Sequence, residues 1–157
     1  MAMRKRCSKY VSFLPFLIPL FIVIILYVLG FRYVVVLTDS MEPNVPRGSF
    51  CVVAPTWFMS PEEGSVVLYE VELGNSRYVI LHRIVKIAVV VYTKGDNRGF
   101  VDPWVVSAKN IIGVCLFSIP VLGYILLFLK IIAVFVLVFA TVYYFSFFIV
   151  KRALYVC

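Results

Sequence analysis

The sequence predicts a mainly β protein, with a small antiparallel β domain between two transmembrane helices. Three observations predict it. Long uncharged apolar runs stand at both ends of the chain, every acidic residue lies between them, and the middle alternates apolar stretches with turn residues. The composition agrees: 63% of the 157 residues are apolar and 15% are charged, against about 45–50% and about 25% in soluble domains. A freely soluble globule, a disordered chain and a collagen-like fibre are thereby excluded.

The net charge is +7, but the two signs are segregated. All the acids fall between Asp39 and Asp102, and residues 38–118 carry a net −1. The surplus bases flank the apolar runs, which is the signature of membrane insertion and not of a basic nucleic-acid surface. No nucleic-acid partner is expected.

Residues 1–10 hold Arg4, Lys5, Arg6 and Lys9 and no acid, and read as a cytoplasmic basic N-terminus. Val11 to Phe31 follows with no charge in 21 residues. As a helix rising about 1.5 Å per residue it spans roughly 30 Å, a bilayer's hydrocarbon core. A cleavable leader has an apolar region of only about 7–15 residues before a small-residue site. Gly30-Phe31-Arg32-Tyr33 offers no such site, so residues 11–33 are expected to be a retained transmembrane anchor, its first turns weakened by Pro15 and Pro19.

Residues 34–120 read as the β domain on the extracytoplasmic side. Candidate strands are Phe50–Ala54, Val66–Val71, Tyr78–Ile87, Val89–Thr93 and Val105–Phe117, rich in β-branched and aromatic residues. Between them stand Pro46-Arg47-Gly48, Pro61-Glu62-Glu63-Gly64, Gly74-Asn75-Ser76, Lys94-Gly95-Asp96-Asn97 and Asp102-Pro103. The triplet Trp57-Phe58-Met59 is expected in the core, with a wedge into the membrane as the other option. A second transmembrane helix is placed at 124–150. Lys130 then snorkels to the outer interface, and Lys151 and Arg152 return residues 151–157 to the cytoplasm. Gly113, Pro120 and Gly123 make 111–123 a poor helix interior. Cys51 and Cys115 fall outside, where a disulfide is permitted; one histidine and no Cys-x-x-Cys pair argue against zinc.

Four short segments carry the chemistry. Thr38-Asp39-Ser40-Met41-Glu42-Pro43 stands just beyond the first apolar run. The only histidine is in Leu81-His82-Arg83-Ile84, followed by Thr93-Lys94-Gly95-Asp96-Asn97 with Asp102, and then by Gly113 to Gly123. In this order they resemble type I signal peptidase. Ser-Met-x-Pro is that family's nucleophile motif, and His-Arg-Ile in place of Lys-Arg resembles its archaeal and endoplasmic-reticulum branch. The resemblance covers residues 34–124 and both anchors. It departs at Gly48-Ser49, where relatives often have Gly-Asp, and at Ile87 to Tyr92, where they usually have a longer hairpin.

The resemblance implies Ser40 as nucleophile, His82 as general base and Asp102 as the residue orienting the histidine. Asp96 is the rival for that third place, and Thr38 is a candidate oxyanion donor. The residue types suit the work. Serine needs a base to remove its proton as it attacks. Imidazole, with an ordinary pKa near 6.5, is able to accept that proton and return it to a leaving amine, and a carboxylate fixes its tautomer. Lys86, four residues after His82, is an alternative base if regular alternation puts both on one strand face.

The function implied is a membrane-bound serine endopeptidase, without cofactor, that removes N-terminal signal peptides from secretory preproteins after small residues. It implies residence in the cell membrane as a multi-pass protein, or a lumenal catalytic face in a eukaryote. The expected partners are signal peptides, the lipid bilayer and the secretion machinery. A specialised preprotein-processing relative and a catalytically silent membrane scaffold of the same fold are the alternatives.

Overall fold

A computed structural model describes residues 14–154; the expected basic N-terminus at 1–10, the start of the expected anchor, Cys7 and Cys157 lie outside the described residues. The protein is mainly β. Helix α1 (Leu14–Val28) leads into β1 (Arg32–Val35), followed by β2 (Phe50–Pro55), β3 (Val66–Leu73), β4 (Ser76–Ile87), β5 (Val91–Lys94), a single 3₁₀ turn (Ala108–Asn110), β6 (Ile111–Ile119) and helix α2 (Leu122–Leu154). The strands form one antiparallel sheet in the order β1-β2-β6-β3-β4-β5.

Helix α1 stops earlier than hydropathy alone suggests. Gly30, at φ +96°, closes it: its amide donates to the Tyr27 carbonyl, and the Phe31 amide donates to Leu26. Those paired bonds cap the last turn and need a left-handed residue, which glycine adopts at least cost. Arg32 and Tyr33, placed in the anchor by their apolar neighbours, therefore lie in β1. A second difference is at the start of β6. Val105–Phe117 reads as one strand, yet Val106 only bridges to Val91, and the ladder begins at Ile111 after the 3₁₀ turn. The third is Trp57-Phe58-Met59, which caps β2 as an exposed turn instead of entering the core.

Alternation along β3 divides the interior. Val67, Tyr69 and Val71 pack with Ile84, Val91, Val106, Ile111 and Val114, while Leu68 joins Val36, Met41, Val45, Cys51, Val53 and Leu81. Successive strand side chains point to opposite faces, so the two clusters occupy opposite faces of β3. Cys51 and Cys115 are free thiols. Their interaction and burial push the Cys51 thiol above the usual range, and the same interaction lowers that of Cys115.

Among the described residues one helix is long and apolar enough to cross a membrane, at Leu122–Ile149 within α2. The most apolar window of that segment has none of its residues buried by the rest of the chain.

Candidate active site

Three short pieces of backbone converge on His82. It sits on β4 opposite Val67 of β3, and Ile84, two residues on, is opposite Thr93 of β5. Cross-strand partners share a face, so the Val67–Tyr69 side of β3, His82 and Thr93 all point the same way. The turn after β5 brings up the second piece: the Asp102 amide donates to the Thr93 carbonyl at 2.8 Å, and the Asn97 amide donates to the Ser40 carbonyl at 2.9 Å. The third piece is the loop after β1. It is pinned by Met41, which is fully buried in the second cluster, and by the Val45 amide donating to the Met41 carbonyl at 2.9 Å.

The short connection between β4 and β5 makes this convergence close. Ile87 pairs with Val91, so Ala88, Val89 and Val90 alone turn the chain, with the Ala88 amide donating to the Val90 carbonyl. None of the three takes a positive φ.

Ser40 Oγ lies 3.1 Å from His82 Nε2, and His82 Nδ1 lies 2.7 Å from Asp102 Oδ2. A carboxylate accepts only, so Nδ1 carries the proton, and in the neutral imidazole Nε2 presents its lone pair to the serine hydroxyl. The side chains of His82 and Asp102 are 9% and 6% exposed. Thr38 Oγ1 stands 3.2 Å from Ser40 Oγ. Among the described residues the Ser40 amide has no hydrogen-bond partner.

Asp96 is turned elsewhere. Its two carboxylate oxygens receive Arg83 Nε and Nη2 at 2.8 and 2.7 Å, and Asn44 Nδ2 donates to Oδ2 at 2.8 Å. The guanidinium beside it holds the Asp96 carboxyl below the usual range, and the carboxylate in turn raises Arg83. Arg83 thus holds the turn after β5 to β4, while the Asn44–Asp96 bond and Arg98, which is 3.3 Å from Asp39, tie that turn to the Ser40 loop. Lys86 does not join the group. The ladder slips between Ile84 and Lys86, which breaks the alternation that would align Lys86 with His82, and the lysine is exposed.

Ser40, His82 and Asp102 open onto a cavity of about 610 Å³. Its walls are Val34 to Leu37 along β1 and the segment after it, Tyr78 to Leu81 on β4, and Phe100 and Trp104. Among the described residues strand β1 ends the sheet with no strand paired on its outer side, and an unpaired strand edge is a template for an added strand. Sequence reasoning missed Arg83, Asn44, Tyr69 and Trp104 as neighbours of the site. Arg83 and Thr93 stand inside motifs already singled out; Tyr69 had no signal beyond a polar tip in an apolar run. No known family model matches this chain, and no curated protein matches it.

Proposed function

We propose that the protein is a membrane-bound serine endopeptidase that removes N-terminal signal peptides from secretory preproteins after small residues, with Ser40, His82 and Asp102 as its catalytic residues. The observation that carries this is the linear Ser40–His82–Asp102 array, buried at the head of a cavity bounded by a free strand edge.

In this mechanism a substrate peptide adds to the β1 edge, its main chain hydrogen-bonded and its alternate side chains directed into the cavity. Ser40 Oγ attacks the scissile carbonyl as His82 Nε2 takes its proton. Asp102 stabilises the resulting imidazolium through Nδ1. The uncommitted Ser40 amide and the Thr38 hydroxyl are the donors for the developing oxyanion; losing one such donor typically costs about 10²–10³ in rate. His82 then protonates the leaving amine, and water, activated by the same imidazole, releases the acyl group from Ser40.

Membrane attachment belongs to the same proposal. Helix α2 has the length and the uncovered apolar surface of a span, and the uncharged run that includes α1 is the second, with the β domain extracytoplasmic. Ser40 follows the end of β1 by only a few residues, so the site lies near the membrane face, where a signal peptide's apolar segment is still in lipid.

The test uses membranes bearing the full chain, wild type beside His82→Ala and Ser40→Ala, with a preprotein carrying an Ala-x-Ala site. Cleavage by the wild type alone is expected. Cleavage that survives Ser40→Ala overturns the assignment. Failure of the wild type on varied preproteins, in native membranes, transfers the reading to a silent scaffold.

A further inference from the structure

The Asp102 carboxylate receives more than the histidine. His82 Nδ1, at 2.7 Å, and the Thr93 hydroxyl, at 2.7 Å, both reach Oδ2, and the Tyr69 hydroxyl reaches the same oxygen at 3.2 Å. Thr93 Oγ1 also stands 3.0 Å from Tyr69 Oη, but it has a single proton, and the shorter contact to a charged acceptor takes it. Trp104 Nε1 donates to Tyr69 Oη at 3.0 Å and fixes the phenol in turn. Tyr69 and Thr93 are both fully buried, and neither lines the cavity. Burial pushes the Tyr69 phenol up to about 12, so it stays a donor throughout the neutral range.

Resting on the peptidase reading, we propose that Tyr69 and Thr93 are positioning residues: from β3 and β5 they clamp one oxygen of Asp102 so that it faces His82 Nδ1. The physical need is plain. A buried carboxylate without donors is costly and tends to neutralise, and a neutral acid neither holds the Nδ1–H tautomer nor stabilises an imidazolium. Three donors on Oδ2 keep the charge and leave the carboxyl little freedom to rotate away. The clamp also disperses that charge. Removing one neutral donor concentrates it on the oxygen facing the imidazole, which then binds its second proton more tightly. The other charged groups around the imidazole are paired among themselves, Asp96 with Arg83 and Arg98 with Asp39. A change at Tyr69 leaves them as they are.

His82 is the only histidine in the chain, so in ¹⁵N-histidine-labelled full-length protein the imidazole titration is read by NMR without ambiguity and without substrate. Tyr69→Phe is expected to move its midpoint upward by about 0.5 to 1 pH unit, the size expected for one neutral hydrogen bond. Thr93→Val is expected to move it the same way, and Thr93→Ser, which restores the hydroxyl, to return it to the wild-type position. With a preprotein substrate, Tyr69→Phe lowers kcat about tenfold and leaves KM within about twofold, because the phenol does not touch the cavity. A folded Tyr69→Phe or Thr93→Val chain that titrates as wild type overturns the clamp. The titration needs no cleavage, so a shift seen in a chain that cuts no preprotein supports the clamp and counts against the peptidase reading alone.

Discussion

Two aspartates six residues apart in sequence have different work, and substitution separates them. Asp102 faces the imidazole, so Asp102→Asn, which leaves the wrong tautomer facing Ser40, is expected to lower kcat by about 10⁴ with little loss of fold. Asp96 grips Arg83 and Asn44, so Asp96→Asn is expected to act on stability first and on cleavage by a smaller factor. Equal, mild losses in cleavage from both changes would remove Asp102 from the third position. The pH dependence of stability gives Asp96 a second signature. Its folded-state pKa is depressed below the ordinary carboxylate range by its hydrogen bonds from the Arg83 guanidinium. The stabilisation is then complete above the unfolded value and is lost as pH falls through the lower folded one. The melting temperature of the wild type is expected to exceed that of Asp96→Asn at neutral pH, and the gap to close as pH drops below about 4. A gap that stays constant down to pH 3 would mean that the ion pair contributes nothing to folding.

At the scale of elements, the site depends on two backbones passing very close. A Cβ on Gly95 would stand 2.6 Å from the Ser40 carbonyl oxygen and 3.2 Å from His82 Nε2. The first of these atoms belongs to the backbone, so the Ser40 loop itself has to shift. Gly95→Ala is therefore expected to lower kcat/KM by about 10²-fold, the usual cost of a misplacement near 1 Å, while the sheet melts nearly as before. Full activity in this variant would mean that the turn after β5 does not set the nucleophile's position. The same elements show what was legible in advance. Strands β2 to β5 announced themselves by β-branched and aromatic runs between turn residues, because their alternation decides which face is buried. Ser40, His82 and Asp102 were singled out by the resemblance of their motifs to a known family, with Asp96 left as the rival for the third place. Strand β1 was hidden because Arg32–Val35 continues an apolar run, and hydropathy does not register that Gly30 has already ended the helix. The partners of Asp96 and Asp102 were hidden for a different reason. Arg83, Thr93 and Tyr69 meet them only through the register of β3, β4 and β5, which no single segment encodes.

For the whole molecule the governing fact is where apolar surface is left uncovered. Helix α2 runs 33 residues, roughly 50 Å at 1.5 Å per residue, longer than the roughly 30 Å of hydrocarbon it would cross. A tilt or a short extension beyond the membrane accommodates the difference. Lys130, eight residues into the helix from Leu122, has a stem long enough to carry its ammonium toward the interface on the β-domain side. Charge is consistent with the orientation proposed above: bases cluster beside the outer ends of both apolar runs, and insertion favours leaving such flanking bases in the cytoplasm. The prediction is topological. Asn75 lies in the exposed turn between β3 and β4, so Asn75→Cys should add labelling by a membrane-impermeant maleimide on intact cells, beyond that of the unsubstituted chain. A cysteine added at the N-terminus should gain label only after the membrane is opened. The reverse pattern would put the β domain in the cytoplasm, away from any preprotein emerging on the outer face. It would overturn the secretory role while leaving the Ser40–His82–Asp102 geometry untouched, because that geometry is set by the sheet and not by the membrane.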